Sequence, residues 1–258
     1  MILFLRIIGK HLSINRLGII LGLILTGCNS HVKPLPDQEP HFTKGNLIYE
    51  NSFAERTMVG DWKIEGPGKL EFRNGWMEMS SPQEEYHQVF WCPENFPDSF
   101  MAEWEVQNLE TDGGLCIIFF AAMGLNGESV LDSNLPERDG TFSDYTQGKI
   151  NNYHISYYAN NPEYEKGRGF ANLRKNQGFD LVQSGNIGIP VESKDIHKVK
   201  LVKDGSHIVM WVDHSRIIDW TDDGVELGSI LKSGKIGFRQ MKWTHFRYKN
   251  FKVWNLVK

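Results

Sequence analysis

Cysteine is scarce in this chain of 258 residues, with Cys28, Cys92 and Cys116 the three present. Besides Cys28 only Cys92 and Cys116 remain, a pair that cannot make a zinc knuckle and could close at most one disulfide. Cys116 lies in the apolar run Leu115-Cys116-Ile117-Ile118-Phe119-Phe120, which predicts a buried free thiol rather than a bridge. Charge of one sign is also missing. Lys and Arg total 28 against 32 Asp and Glu, a net charge of −4 without a basic run. That balance lacks the electrostatic footprint of a nucleic-acid binder, so no nucleic-acid partner is expected. A Gly-rich phosphate loop, a nucleophile elbow and internal repeats are absent from the sequence too.

The apolar run at residues 17–25 is too short to span a bilayer of about 30 Å as a helix. Arg6 and Lys10 precede it and Thr26-Gly27-Cys28 follows it, the pattern of a bacterial lipoprotein signal. Residues 1–27 are therefore expected to be removed and Cys28 lipidated, which anchors the chain in a membrane of the cell envelope, at the outer membrane or periplasmic face. Residues 28–45, with Pro34, Pro36 and Pro40 among polar residues, read as a tether. One domain is expected over residues 46–258.

What remains is rich in aromatics, with eight Trp, eight Tyr and fifteen Phe, enough both to fill a core and to offer flat rings to sugars. Short alternating runs such as 101–106, 115–122, 153–158, 199–203, 235–239 and 246–254 are separated by Gly, Pro, Asn and Asp, and helical period is nearly absent. Residues 207–213 and 216–220 flank His214-Ser215 as a hairpin. These features predict an all-β jelly-roll sandwich of two antiparallel sheets.

Five segments carry a more specific likeness: Trp62-Lys63-Ile64-Glu65-Gly66, Gly113-Gly114 with Phe119-Phe120-Ala121-Ala122, Tyr153-His154-Ile155-Ser156-Tyr157, Arg174-Lys175-Asn176-Gln177-Gly178-Phe179, and Gly237-Phe238-Arg239-Gln240-Met241. Together they resemble the YesU-like domain-of-unknown-function family. The resemblance implies a concanavalin A-like fold and a place in the breakdown of uronate-containing plant or algal polysaccharides, with an oligosaccharide dehydratase among the relatives. It supplies no set of catalytic residues.

Strand parity sorts the candidate residues. In 153–158 one face carries His154, Ser156 and Tyr158, and in 170–176 one face carries Asn172, Arg174 and Asn176. If both strands share a sheet, this stripe suits proton abstraction beside a carboxylate. Arg174 with Asn172 or Asn176 would neutralise a uronate carboxylate, His154 or Tyr158 would take the C5 proton, and a Tyr would protonate the oxygen leaving C4. Loss of a sugar makes this a lyase and loss of water a dehydratase. The other reading of the stripe is a solvated outer face, which would leave a non-catalytic carbohydrate-binding protein. Arg138 and Tyr145 in the long 134–148 segment, His87 with Trp91, and Arg239 are further candidates for binding substrate. Glycoside hydrolysis needs two carboxylates facing the substrate, and Glu103 with Glu105 reads better as a solvated pair. Asp222-Asp223-Gly224 is a turn that could add a structural Ca²⁺, although no cofactor is required by the expected chemistry.

Overall fold

A computed structural model describes residues 35–81, 87–160 and 167–257. The signal segment and Cys28 lie outside the described residues. Among the described residues no helix is long and apolar enough to cross a membrane.

The domain is a sandwich of two antiparallel sheets, as the strand spacing predicts. Sheet A runs β13 (Ser215–Thr221), β12 (His207–Val212), β11 (Ile196–Asp204), β6 (Ser99–Asn108), β15 (His245–Val257), β4 (Trp76–Ser80) and β3 (Lys69–Arg73), with β1 (Thr43–Asn51) paired to the far end of β15. Sheet B runs β10 (Asp180–Ile187), β9 (Phe170–Asn176), β8 (Ile150–Asn160), β7 (Gly114–Gly124), β14 (Lys235–Gln240), β5 (Gln88–Trp91) and β2 (Lys63–Glu65). Consecutive side chains point to opposite faces, so each strand divides its residues between core and exterior. In β6, Phe100, Ala102, Trp104 and Val106 enter the core, whereas Glu103 and Glu105 face outward and pair with Lys44 at 2.7 Å and Lys249 at 3.2 Å.

Most of the aromatic load packs between the sheets. Trp62 stacks on Phe90 with centroids 4.7 Å apart, and Phe238 meets Phe251 edge-on at 5.3 Å. Each such pair adds about 0.5–1.5 kcal/mol beyond the area it buries. Cys92 and Cys116 are buried free thiols, and Cys116 Sγ lies 2.9 Å from the Tyr248 hydroxyl.

Three local readings are corrected by the geometry. The hairpin between β12 and β13 turns on Asp213-His214, with Val212 paired to Ser215, one residue earlier than the sequence suggests. Asp213 takes a left-handed φ of 54°, which a short polar side chain tolerates. The fold begins before residue 46: Glu39 Oε1 accepts from Trp211 Nε1 at 2.7 Å and Phe42 packs edge-on against Trp211, so this end of the expected tether lies along sheet A. In β8 a bulge interrupts the alternation, because Ile117 faces Ser156 while the adjacent Cys116 faces Tyr158. Tyr158 is thereby turned into the core against Phe246, away from the face of His154 and Ser156.

Candidate functional site

The outer face of sheet B is where polar side chains gather, and residues 125–149, with the one-turn helix α1 (Phe142–Thr146), cover part of it. The cover is held by apolar contacts of Val130, Leu131, Leu135, Phe142 and Tyr145 with Val89, Trp91, Ile117 and Phe119. Gly237 allows the Trp91 ring to lie against β14, since a Cβ there would come within 2.5 Å of the indole. At its end the cover is clasped by Glu65, which is buried. Its carboxylate accepts from Arg138 at 2.6 and 3.1 Å, from the Tyr145 hydroxyl at 2.9 Å and from Trp91 Nε1 at 2.9 Å. Three sequence candidates, Arg138, Tyr145 and Trp91, thus direct polar atoms to one carboxylate.

Beside the covering segment a cleft of about 270 Å³ remains open over β7, β8 and β9. His154, Ser156, Asn172, Arg174 and Arg168 form its polar side, and Leu115, Ile117, Phe142, Phe179 and Met241 its apolar side. Cross-strand register explains the gathering: His154 lies opposite Arg174, Ser156 opposite Asn172, and Asn152 opposite Asn176. The polar stripe read from the two strands is therefore one patch.

Arg174 lies over the Phe179 ring, 3.8 Å from its centroid, and donates through Nη1 to the Phe179 carbonyl at 2.7 Å. Arg168 donates through Nη2 to Ser156 Oγ at 3.0 Å. The amide orientation that satisfies Asn172 has Nδ2 donating to Ser184 Oγ and the Ala171 carbonyl, while Oδ1 accepts from Arg168 Nη1. His154 is buried at 2 % exposure, with Asn176 Nδ2 2.8 Å from Nδ1. Burial, reinforced by Arg174, Arg239 and Arg168, holds its pKa well below the usual imidazole value, so the ring is neutral. Asn176 bonds inward to Asn152 and His154.

The remaining candidates are arranged differently. Arg239 is fully buried opposite Ile117, donates to the Gly140 carbonyl at 2.9 Å and packs under the rings of Phe142 and Tyr145 at 4.9 and 4.8 Å. Burial lowers its pKa to about 10. His87 is half-buried, accepts from the Lys242 backbone N–H at 3.2 Å, and is pushed down to about 4 by burial and then by Arg239. The Asp222 turn is not free for a cation: its carboxylate pairs with buried Lys175 at 2.7 Å and accepts from the Tyr153 hydroxyl and the Gly224 N–H. Among the described residues no cluster of three or more His, Cys, Asp or Glu could hold a metal.

Ser193, His197 and Asp213 line up at 2.7 and 2.8 Å in the order of a nucleophilic triad. Ser193 Oγ also accepts from the Asp195 N–H and Asp213 from the Lys198 N–H, so the alignment staples a turn to β11. Parity reasoning missed Arg168, Phe142, Phe179 and Met241, and also Leu115 and Ile117, whose strand is apolar on both faces. Arg168 precedes β9, Phe142 opens α1, Phe179 sits in the turn between β9 and β10, and Met241 follows β14, places where a period-two pattern gives no signal.

The family model for a domain of unknown function, DUF1961, matches residues 46–253. YesU of Bacillus subtilis (strain 168) is 36% identical over 219 residues, covering 84% of this chain and 99% of that protein. A crystal structure of a Bacillus subtilis protein with a galectin-like fold aligns at a TM-score of 0.80 and 37% identity, over 84% of this chain and 100% of that one. The lumenal domain of VIP36, in its Ca²⁺/Man3GlcNAc-bound form, aligns at 0.57 with 10% identity, over 83% and 92% of the two chains, and shares the fold alone.

Proposed function

The chain belongs to the DUF1961 family and has its galectin-like sandwich, and from that premise we propose that the cleft over sheet B binds uronate-containing oligosaccharides by their carboxylate. The observation that carries this reading is the convergence of Arg168, Arg174 and a neutral His154 on one cleft, with no carboxylate among its described lining residues. A guanidinium offers a carboxylate two parallel hydrogen bonds, and the rings of Phe142 and Phe179 give the apolar face of a sugar a surface to rest on. That VIP36 was solved with a mannose oligosaccharide supports sugars as the ligand class for a sandwich of this shape.

Elimination from a uronate begins with neutralising the carboxylate, which acidifies the C5 hydrogen. His154 would take the C5 proton on Nε2, and the C5–H electron pair would form the C4–C5 double bond. The oxygen on C4 would depart with that proton returned from His154, a route open only to the tautomer whose ring proton is on Nδ1. Departure of water is dehydration, and departure of a sugar is lyase cleavage. Arg168 and Arg174 suit the first task, and His154 suits the proton transfer only with a lone pair on Nε2. Binding without turnover is the reading favoured by the hydrogen bond that Asn176 directs at His154 Nδ1, which makes the imidazole a donor toward the cleft, and elimination is the second reading.

The sequence of residues 1–28 adds attachment to a bacterial envelope membrane through lipidated Cys28 to this proposal. The test is incubation with uronate oligosaccharides while following near-ultraviolet absorbance. An unsaturated uronate chromophore supports elimination, saturable calorimetric binding without it supports binding alone, and new reducing ends without it would indicate hydrolysis. No binding of any acidic oligosaccharide would overturn both readings.

A further inference from the structure

We infer that Asn176 is a positioning residue that fixes the tautomer of His154, so that the cleft is lined there by a ring N–H and selects an anionic or acceptor-rich ligand group. The inference rests on the proposed cleft as the ligand site, but its structural part stands without it. The chain of reasoning starts at a backbone carbonyl, which can only accept. Asn152 Nδ2 donates to the Tyr145 carbonyl at 2.9 Å, which orients the Asn152 amide. Its Oδ1 then faces Asn176 at 2.7 Å and accepts from Asn176 Nδ2. The second proton of that same Nδ2 reaches His154 Nδ1 at 2.8 Å. Nδ1 must therefore hold a lone pair, and in a neutral imidazole the proton sits on Nε2.

Reversing the Asn176 amide would set its oxygen against the oxygen of Asn152. It would also lose the bond to Asn152 and put Nδ2 where Oδ1 now has no partner, leaving both its protons unsatisfied in a buried site, even if the ring proton moved to Nδ1 to keep the bond to His154. The orientation seen leaves Asn176 Oδ1 buried without a partner, a cost the two donated bonds offset. Asn152, Asn176 and His154 are all at most 2 % exposed, so water does not compete for these groups. With Nε2–H toward the cleft, the ring joins Arg174 and Arg168, which can only donate, in a donor set that suits an anionic ligand group.

Nitrogen-15 correlation spectra of the histidine side chains in the free protein read the tautomer directly, with His154→Gln assigning the resonance. The wild type should show a protonated Nε2 and an unprotonated Nδ1 for His154. Asn152→Ala removes the anchor without touching His154, and should move the ring toward a mixture of tautomers. Asn176→Leu should do the same and weaken binding of a uronate oligosaccharide about tenfold while leaving a neutral oligosaccharide unaffected. A protonated Nδ1 in the wild type, or an unchanged tautomer in both folded variants, would overturn the inference. Loss of uronate binding to the wild type with the Nε2–H tautomer present would instead fault only the choice of ligand.

Discussion

Glu65 on β2 and Arg138 in the covering segment form a bidentate pair at 2.6 and 3.1 Å, joining residues 73 apart in sequence, and both side chains are nearly withdrawn from water. Removing one partner of a buried pair leaves the other charge unpaired at a cost of about 3–5 kcal/mol. Glu65→Ala should therefore lower the free energy of unfolding by about that amount, since Tyr145 and Trp91 lose their acceptor as well. Urea denaturation measures it, and a change under about 1 kcal/mol would mean that the cover is held by its apolar contacts alone.

Arg174→Lys keeps the charge but loses the planar face on Phe179 and the fork that meets a carboxylate. Its affinity for a uronate oligosaccharide should fall at least tenfold, about 1.4 kcal/mol, with melting temperature little changed. Arg168→Lys should behave alike. Titration calorimetry decides this, and wild-type affinity in both variants would remove the carboxylate from the cleft.

Acid should destabilise the domain before its carboxylates titrate. His154 and His87 have folded-state pKa values below the ordinary imidazole value of about 6.5, so the unfolded chain binds protons first as pH falls. Their effect is nil above pH about 7. Stability is lost as pH drops through about 6.5, and for His87 the loss continues to about 4. Thermal melts at several pH values should show this decline, and His154→Gln should flatten it. An unaltered slope in that variant would mean that the ring is protonated in the folded protein.

Calcium should not raise the melting temperature through the Asp222 turn, because Lys175 already occupies the carboxylate. Asp222→Asn, by contrast, should destabilise the fold by leaving Lys175 buried without its ion partner. Differential scanning calorimetry with calcium or a chelator tests the pair, and a chelator-sensitive melt that Asp222→Asn abolishes would return a cation to this turn.

Lipid attachment is tested at the other end of the chain. Cys28→Ser should leave an unprocessed precursor that no longer partitions into detergent, whereas the native chain should yield a mature N-terminus carrying acyl chains on Cys28. Mass spectrometry finding any other mature N-terminus would refute the lipoprotein reading.

The sequence by itself determined the class of fold and the faces of its regular strands. Alternation is a local property, and the out-facing Glu103 and Glu105 or the in-facing Tyr153 and Ile155 follow from spacing alone. His154, Asn172 and Arg174 were legible as one stripe for the same reason, once their strands proved to be neighbours in register. Tertiary structure decided what spacing cannot encode. A one-residue bulge turned Tyr158 into the core, and the clasp on Glu65 engaged Arg138, Tyr145 and Trp91. Arg168, Phe142 and Phe179 joined the cleft from connecting segments whose side chains have no period to read. The role of Asn176 depended on a hydrogen-bond chain that begins at the Tyr145 carbonyl, a backbone atom that carries no sequence signal and reaches Asn152 only when the cover is folded onto the sheet.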